Sequence, residues 1–144
     1  MSGSNGGNLI TLEAETTALL VEHARAVRER ARVPMSNFRV GAALLIKDGR
    51  IFTGCNVELA NILYSICAER TALVKMVSEG GSEPLAIAVI ADADEPIAPC
   101  GQCRQALYDF NPEMEVIMAT MRSAEVRIEK IGALLPLAYK RPKR

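Results

Sequence analysis

The chain has 144 residues, 49% hydrophobic and 24% charged, and its seventeen Lys plus Arg are balanced by seventeen Asp plus Glu. That length and composition fit one globular domain, which buries roughly 70% of its unfolded surface without disulfides. Zero net charge gives no electrostatic drive toward a phosphate backbone and argues against nucleic acid as a partner, and no apolar run reaches the roughly 20 residues of a membrane span.

Residues 1–10 open small and polar, without the charged and apolar regions of an export signal, and read as a flexible tail. A single domain is expected over residues 11–139, then a basic tail over 140–144. From Thr11 to about Ala31, Leu12, Leu19, Leu20 and Val27 recur at helical spacing; Thr11 offers a cap and Pro34 a stop. Phe38–Ile46 and Ile51–Val57 are β-rich runs joined by Lys47-Asp48-Gly49-Arg50, a hairpin signal. Glu58 to Ser65 reads as a loop, and Cys67 to Glu79 as a helix closed by Gly80-Gly81. Leu85–Ala91 is a continuous apolar run that suits a strand buried on both faces. Gly101–Phe110 reads as a short helix, Glu115–Ala119 and Val126–Ile128 as further strands, and Leu134-Leu135-Pro136 opens a terminal segment. The order predicts an α/β layered domain with a mixed sheet, a hairpin edge followed by crossover units.

The chemistry concentrates on the cysteines. Without an export signal the compartment is read as the reducing cytoplasm, where four cysteines suggest metal or catalysis before disulfides. Cys100 and Cys103 form a Cys-x-x-Cys pair at the start of one predicted helix, and Cys67 begins another. Helix N-termini favour thiolates. Three sulfur ligands would leave one zinc position open, the layout of a catalytic rather than a structural site. Glu69 follows Cys67 by two residues, where a carboxylate can stand beside the metal without ligating it and move protons. The pattern Cys-x-Glu followed by Pro-Cys-x-x-Cys is the zinc-deaminase signature.

Five motifs in order carry a resemblance over about residues 12–139: Pro34 to Ala43, Gly54-Cys55-Asn56-Val57-Glu58, Cys67-Ala68-Glu69-Arg70-Thr71-Ala72, Pro99 to Gln105, and Leu134 to Tyr139. The chain resembles the cytidine deaminase family in its small homotetrameric, three-cysteine branch. The resemblance implies a three-layer α/β/α sandwich with a mixed sheet of about five strands. It implies zinc, one per chain, on Cys67, Cys100 and Cys103, with Glu69 as proton shuttle and Arg70 hydrogen-bonded to the thiolates. It further implies that the Ala68 carbonyl accepts from the exocyclic amine, that Asn56 and Glu58 hold the ribose, and that Phe38 lies beside the pyrimidine. Tyr139 matches a position that a neighbouring subunit offers to the base, so the expected partner is a second copy, in a tetramer with shared sites. The implied reaction is deamination of cytidine and deoxycytidine in pyrimidine salvage.

Leu59-Ala60-Asn61-Ile62 stands where the family usually has Asn-Ala-Ser-Tyr. That departure motivates an alternative substrate, a bulkier cytosine nucleoside such as an antibiotic of the blasticidin type. A non-catalytic zinc module would instead use Cys55 as a fourth ligand. His23, the sole histidine, reads as structural, and a nucleic-acid editing role is disfavoured by the neutral charge and few aromatics.

Overall fold

The structure is a computed structural model and describes residues 12–143; the expected tail over residues 1–10 lies outside them. Helix α1 spans Ala14–Arg28. Glu13 takes the N-cap position without a side-chain cap bond, while Thr11, the expected cap, lies outside the described residues. The helix stops at Arg28, three residues short of the predicted end. The reason is local: the Arg32 N–H donates to the Asn56 carbonyl at 3.0 Å and draws the chain into a bridge with Val57.

Strands β1, Val40–Ile46, and β2, Ile51–Cys55, form the predicted hairpin, and Gly49 supplies the positive φ of 97° in its turn. Both strands are shorter than their apolar runs. Asn37 adopts φ 55°, and the Asn56 side chain takes the place of strand partners, accepting from Val40 N at 2.9 Å and donating to Phe38 O at 2.8 Å. The following loop contains a short 3-10 turn, Ile62–Tyr64, capped by Asn61. Helix α2 spans Ala68–Ser78, β3 Pro84–Ala91, α3 Gly101–Phe110, β4 Glu115–Thr120, β5 Val126–Lys130 and the one-turn helix α4 Ile131–Leu134.

The sheet order is β2-β1-β3-β4-β5. Only β3 and β4 run parallel, joined by the crossover through α3. The sequence order suggested several crossovers; instead β5 returns antiparallel beside β4 after a tight turn. Alternation along the strands separates two apolar layers. Leu44, Ile46, Ile87, Val89, Val116 and Met118 pack with α2, α3 and α4, including Met76, Leu107 and Ile131. The opposite face carries Ala43, Ala86, Ala88, Ile90, Ile117 and Ala119 against Leu20 and Ala24 of α1. The fold is thus the expected α/β/α sandwich. Small residues on the α1 side let that helix lie close: a Cβ on Gly41 would fall 2.0 Å from the Ala24 carbonyl oxygen. Among the described residues no helix is long and apolar enough to cross a membrane.

Candidate active site: a three-sulfur cluster on two helix N-termini

Cys67 and Cys100 occupy the N-cap positions of α2 and α3, with extended backbone and no side-chain cap bond. Capping oxygens normally fill such positions. Here neither sulfur caps its helix, and both stand at the positive ends of two helices. The third sulfur, of fully buried Cys103, comes from the first turn of α3. All three lie within 4.8 Å of one another, and Cys67 Sγ and Cys100 Sγ are 3.8 Å apart. Two sulfurs bound to one tetrahedral zinc at about 2.3 Å stand about 3.8 Å apart, the separation of Cys67 and Cys100, so the cluster is of the size that zinc requires. Among the described residues no fourth His, Cys, Asp or Glu joins it. Cys55, half-buried at the end of β2, is not a member, which removes the four-ligand structural reading.

The geometry depends on how closely α2 sits on the sheet. Gly54 of β2 lies beneath the first turn of α2, where a Cβ would meet the Ala68 carbonyl oxygen and the Ala72 nitrogen at 2.5 Å each. Glycine there lets the helix N-terminus, with Cys67 before it and Glu69 in its first turn, rest directly on the strand.

Electrostatics follow from burial and crowding. A hydrogen bond from the Cys103 thiol, helped by Arg70, holds Cys67 down to about 5. The same pairing, with burial, pushes Cys103 up. The Arg70 Nη2 donates to Cys67 Sγ at 3.7 Å and to the Ser65 carbonyl at 3.5 Å. Zinc with three thiolates carries one net negative charge, and a guanidinium against a sulfur offsets it. Glu69 is 4% exposed, and burial raises its carboxyl to about 7 against the opposing pull of its own backbone N–H.

A cavity of about 360 Å³ opens beside Cys67, lined by Asn56, Glu58, Ile62, Leu63, Arg70 and Gln102 among others. Glu58 is 7% exposed, and its Oε1 accepts from the backbone N–H groups of Met35 at 3.0 Å and Ser36 at 3.1 Å. Ser36 and those N–H donors hold its carboxyl below the usual range. A larger cleft of about 580 Å³ between Ala31 and Arg39 contains no member of the cluster. The other expected residues are placed differently. Ala68 is fully buried, its carbonyl oxygen lies close to Gly54 of β2, and it does not border this cavity. Phe38 and Tyr139 are exposed and do not line the cavity within one chain.

Two supporting residues escaped the sequence reading. Arg104 Nε donates to Pro99 O at 2.7 Å and its Nη1 to Leu134 O at 2.9 Å, tying the cysteine loop to the C-terminal segment. Arg32 bonds the Glu58 carbonyl through its side chain, and its own carbonyl accepts from Glu58 N at 2.7 Å. Arg104 belongs to a quoted motif, but its spacing says nothing about a partner thirty residues on.

Comparison with known proteins gives the family. The family model described as the cytidine and deoxycytidylate deaminase zinc-binding region matches residues 14–120. A cytidine deaminase of Halalkalibacterium halodurans is 42% identical over 121 residues, which are 84% of this chain and 92% of that protein. The crystal structure of a cytidine deaminase from Burkholderia pseudomallei superposes with a TM-score of 0.83 at 44% identity, covering 89% of this chain and 100% of that one. The Mycobacterium tuberculosis cytidine deaminase structure gives 0.74 at 35% identity, over 85% and 96%.

Proposed function

The chain belongs to the cytidine and deoxycytidylate deaminase family, and on that premise we propose that it hydrolyses the C4 amine of free cytidine and deoxycytidine, giving the uracil nucleoside and ammonia. The observation that carries the reading is the union of three sulfurs on two helix N-termini with a buried glutamate two residues from one of them. Zinc is the cofactor, and Cys67, Cys100 and Cys103 are the residues that would hold it. When bound there it supplies a Lewis acid that makes water nucleophilic near neutral pH.

Glu69 does the proton work. It takes one proton from the attacking water as the oxygen bonds to C4, and delivers it to ring nitrogen N3. The second water proton passes by the same carboxylate to the amine, the C4–N bond breaks, and ammonia leaves. Burial of Glu69 shields both transfers from bulk water. Arg70 balances the charge of the sulfur set.

Glu58 and Asn56 face the sugar. Glu58 Oε1 is occupied by two backbone donors, which leaves the second carboxylate oxygen for a ribose hydroxyl. The cavity supports a nucleoside rather than a nucleotide. Its one cation among the described residues, Arg70, is engaged by Cys67, while Glu58 adds negative charge, so a 5′-phosphate has no receptor. The bulkier antibiotic substrate is not favoured: Ile62 and Leu63 help line the cavity, and the relatives above bear the name cytidine deaminase.

The catalytic unit is taken as residues 11–139, assembled as a homotetramer in the cytoplasm. Free cysteines suit a reducing compartment. Leu63 is 84% exposed, Tyr139 stands off its own cavity, and a groove of about 470 Å³ bordered by Leu73, Val74, Val77 and Phe110 runs over α2 and α3. These surfaces support sharing of residues between copies. The test is loss of the cytosine absorbance band with cytidine, run beside Glu69→Gln at equal zinc content. Turnover falling about 10²- to 10⁴-fold in the variant is expected; equal turnover would refute the assigned role.

A further inference from the structure

The polar side chains around the cavity beside Cys67 differ in one respect. Asn56 is bonded to Phe38 O and Val40 N, Glu58 to two backbone N–H groups, and the Ser65 hydroxyl to Leu59 N at 3.0 Å. Arg70 bonds Cys67 and the Ser65 carbonyl. Gln102, exposed at the edge of the cavity, alone among these has no protein partner for its carboxamide among the described residues, so that group is free to meet a ligand. It lies between two of the three cluster cysteines, in the first turn of α3, so the anchoring of Cys100 and Cys103 fixes its position too. Elsewhere the cavity wall is apolar, with Val57, Ile62, Leu63 and Ile66.

Resting on the deaminase reading, we infer that Gln102 is a specificity-determining residue that recognises the C5 edge of the pyrimidine ring. The reaction constrains the ring. C4 faces the cluster, and N3 faces Glu69, which must protonate it. C5, the other neighbour of C4, is then turned away from Glu69 and toward the open cavity that Gln102 lines. Glu69 itself does not line that cavity. A carboxamide offers both a donor and an acceptor. It therefore favours a cytosine nucleoside with a small polar C5 substituent, such as hydroxymethyl, over one with a methyl group, which the carboxamide cannot hydrogen-bond once the bound ring displaces water from it.

The experiment compares 5-hydroxymethylcytidine with 5-methylcytidine as substrates of the zinc-loaded wild type, Gln102→Ala and Gln102→Leu. Cytidine is the common reference, and zinc per chain is measured for each protein. Calorimetric binding of the two corresponding uracil products gives a readout that needs no turnover. The wild type is expected to prefer the hydroxymethyl substrate and product, and Gln102→Leu to shift that ratio toward methyl by about ten-fold, with zinc content unchanged. A ratio constant within two-fold across all three proteins, in turnover and in binding, overturns the inference. Failure of wild type to deaminate cytidine would instead sink the parent reading, and the product-binding ratio would still decide the role of Gln102.

Discussion

Replacing Gly54 with alanine tests whether the close seat of α2 on β2 sets the site. The added Cβ would lie 2.5 Å from the Ala68 oxygen and the Ala72 nitrogen and 2.9 Å from Thr71 Cβ. All three belong to α2 near its start, and two are backbone atoms, so no side chain can swing away. The helix must retreat by about 1 Å to restore ordinary contact, at a cost of about 1–3 kcal/mol. Because Cys67 and Glu69 ride on that helix end while Cys100 and Cys103 ride on α3, the displacement opens the sulfur triangle on one side. A misplacement of about 1 Å costs on the order of 10² in rate. Gly41→Ala is the comparison: its Cβ collides with the Ala24 oxygen at 2.0 Å, but on the α1 layer. Both variants are therefore expected to melt several degrees lower, whereas only Gly54→Ala should lose turnover and zinc out of proportion to its melting temperature. Thermal melts, zinc titration and cytidine turnover on the folded fraction measure this. Gly54→Ala with wild-type kcat and zinc affinity, or equal losses in the two variants, would refute the coupling.

Cys103→Ala removes the buried sulfur and leaves two ligands; zinc retention on dialysis should fall sharply, and the melting temperature should stop responding to a chelator. Arg104→Ala unpairs the Pro99 and Leu134 carbonyls, which should destabilise the fold by about 2 kcal/mol in a denaturant melt, and Arg104→Lys should not restore both bonds. Glu58 has a folded pKa below its ordinary value, so its stabilising effect is present above that ordinary value and is lost as pH falls through the lowered one. Acid titration of stability should accordingly be steeper for wild type than for Glu58→Gln, and parallel curves would count against the bonded carboxylate.

The elements that sequence reading placed well are those whose signal is local. Gly101–Phe110 was bounded on both sides, by the cysteine loop before it and by Asn111-Pro112 after it, and the helix has those limits. Asp48-Gly49 marked the hairpin because the turn demands a positive φ. The cluster was legible for the same reason: each helix start carries its own cysteine, and Cys-x-Glu and Cys-x-x-Cys are short patterns. What stayed hidden depends on distant contacts. The early end of α1 follows from pairing of Arg32 with the Asn56–Glu58 segment, and the shortened β1 from the side chain of Asn56, both more than fifteen residues away. The antiparallel return of β5 is set by a tight turn whose hand no hydrophobic period reveals.

The two layers of the sandwich divide the labour in a way that bears on assembly. The α1 layer is rich in alanine, with Leu20, Ile90 and Ile117 as its larger buried side chains, packs close, and contributes no side chain to the sulfur cluster. The other layer holds larger side chains, both cysteine-bearing helix starts and the exposed Val74, Val77 and Phe110. A monomer would leave that apolar surface wet on the very helices whose relative position sets the sulfur triangle. Covering it with a second copy, as proposed, would remove the exposed area and brace α2 against α3 together. Arg70 reaches from the cavity beside Cys67 to that groove, so a copy docked there would press on the residue that balances the cluster's charge. Under the proposed assembly, docking at the groove and the charge balance at the cluster would be linked through Arg70.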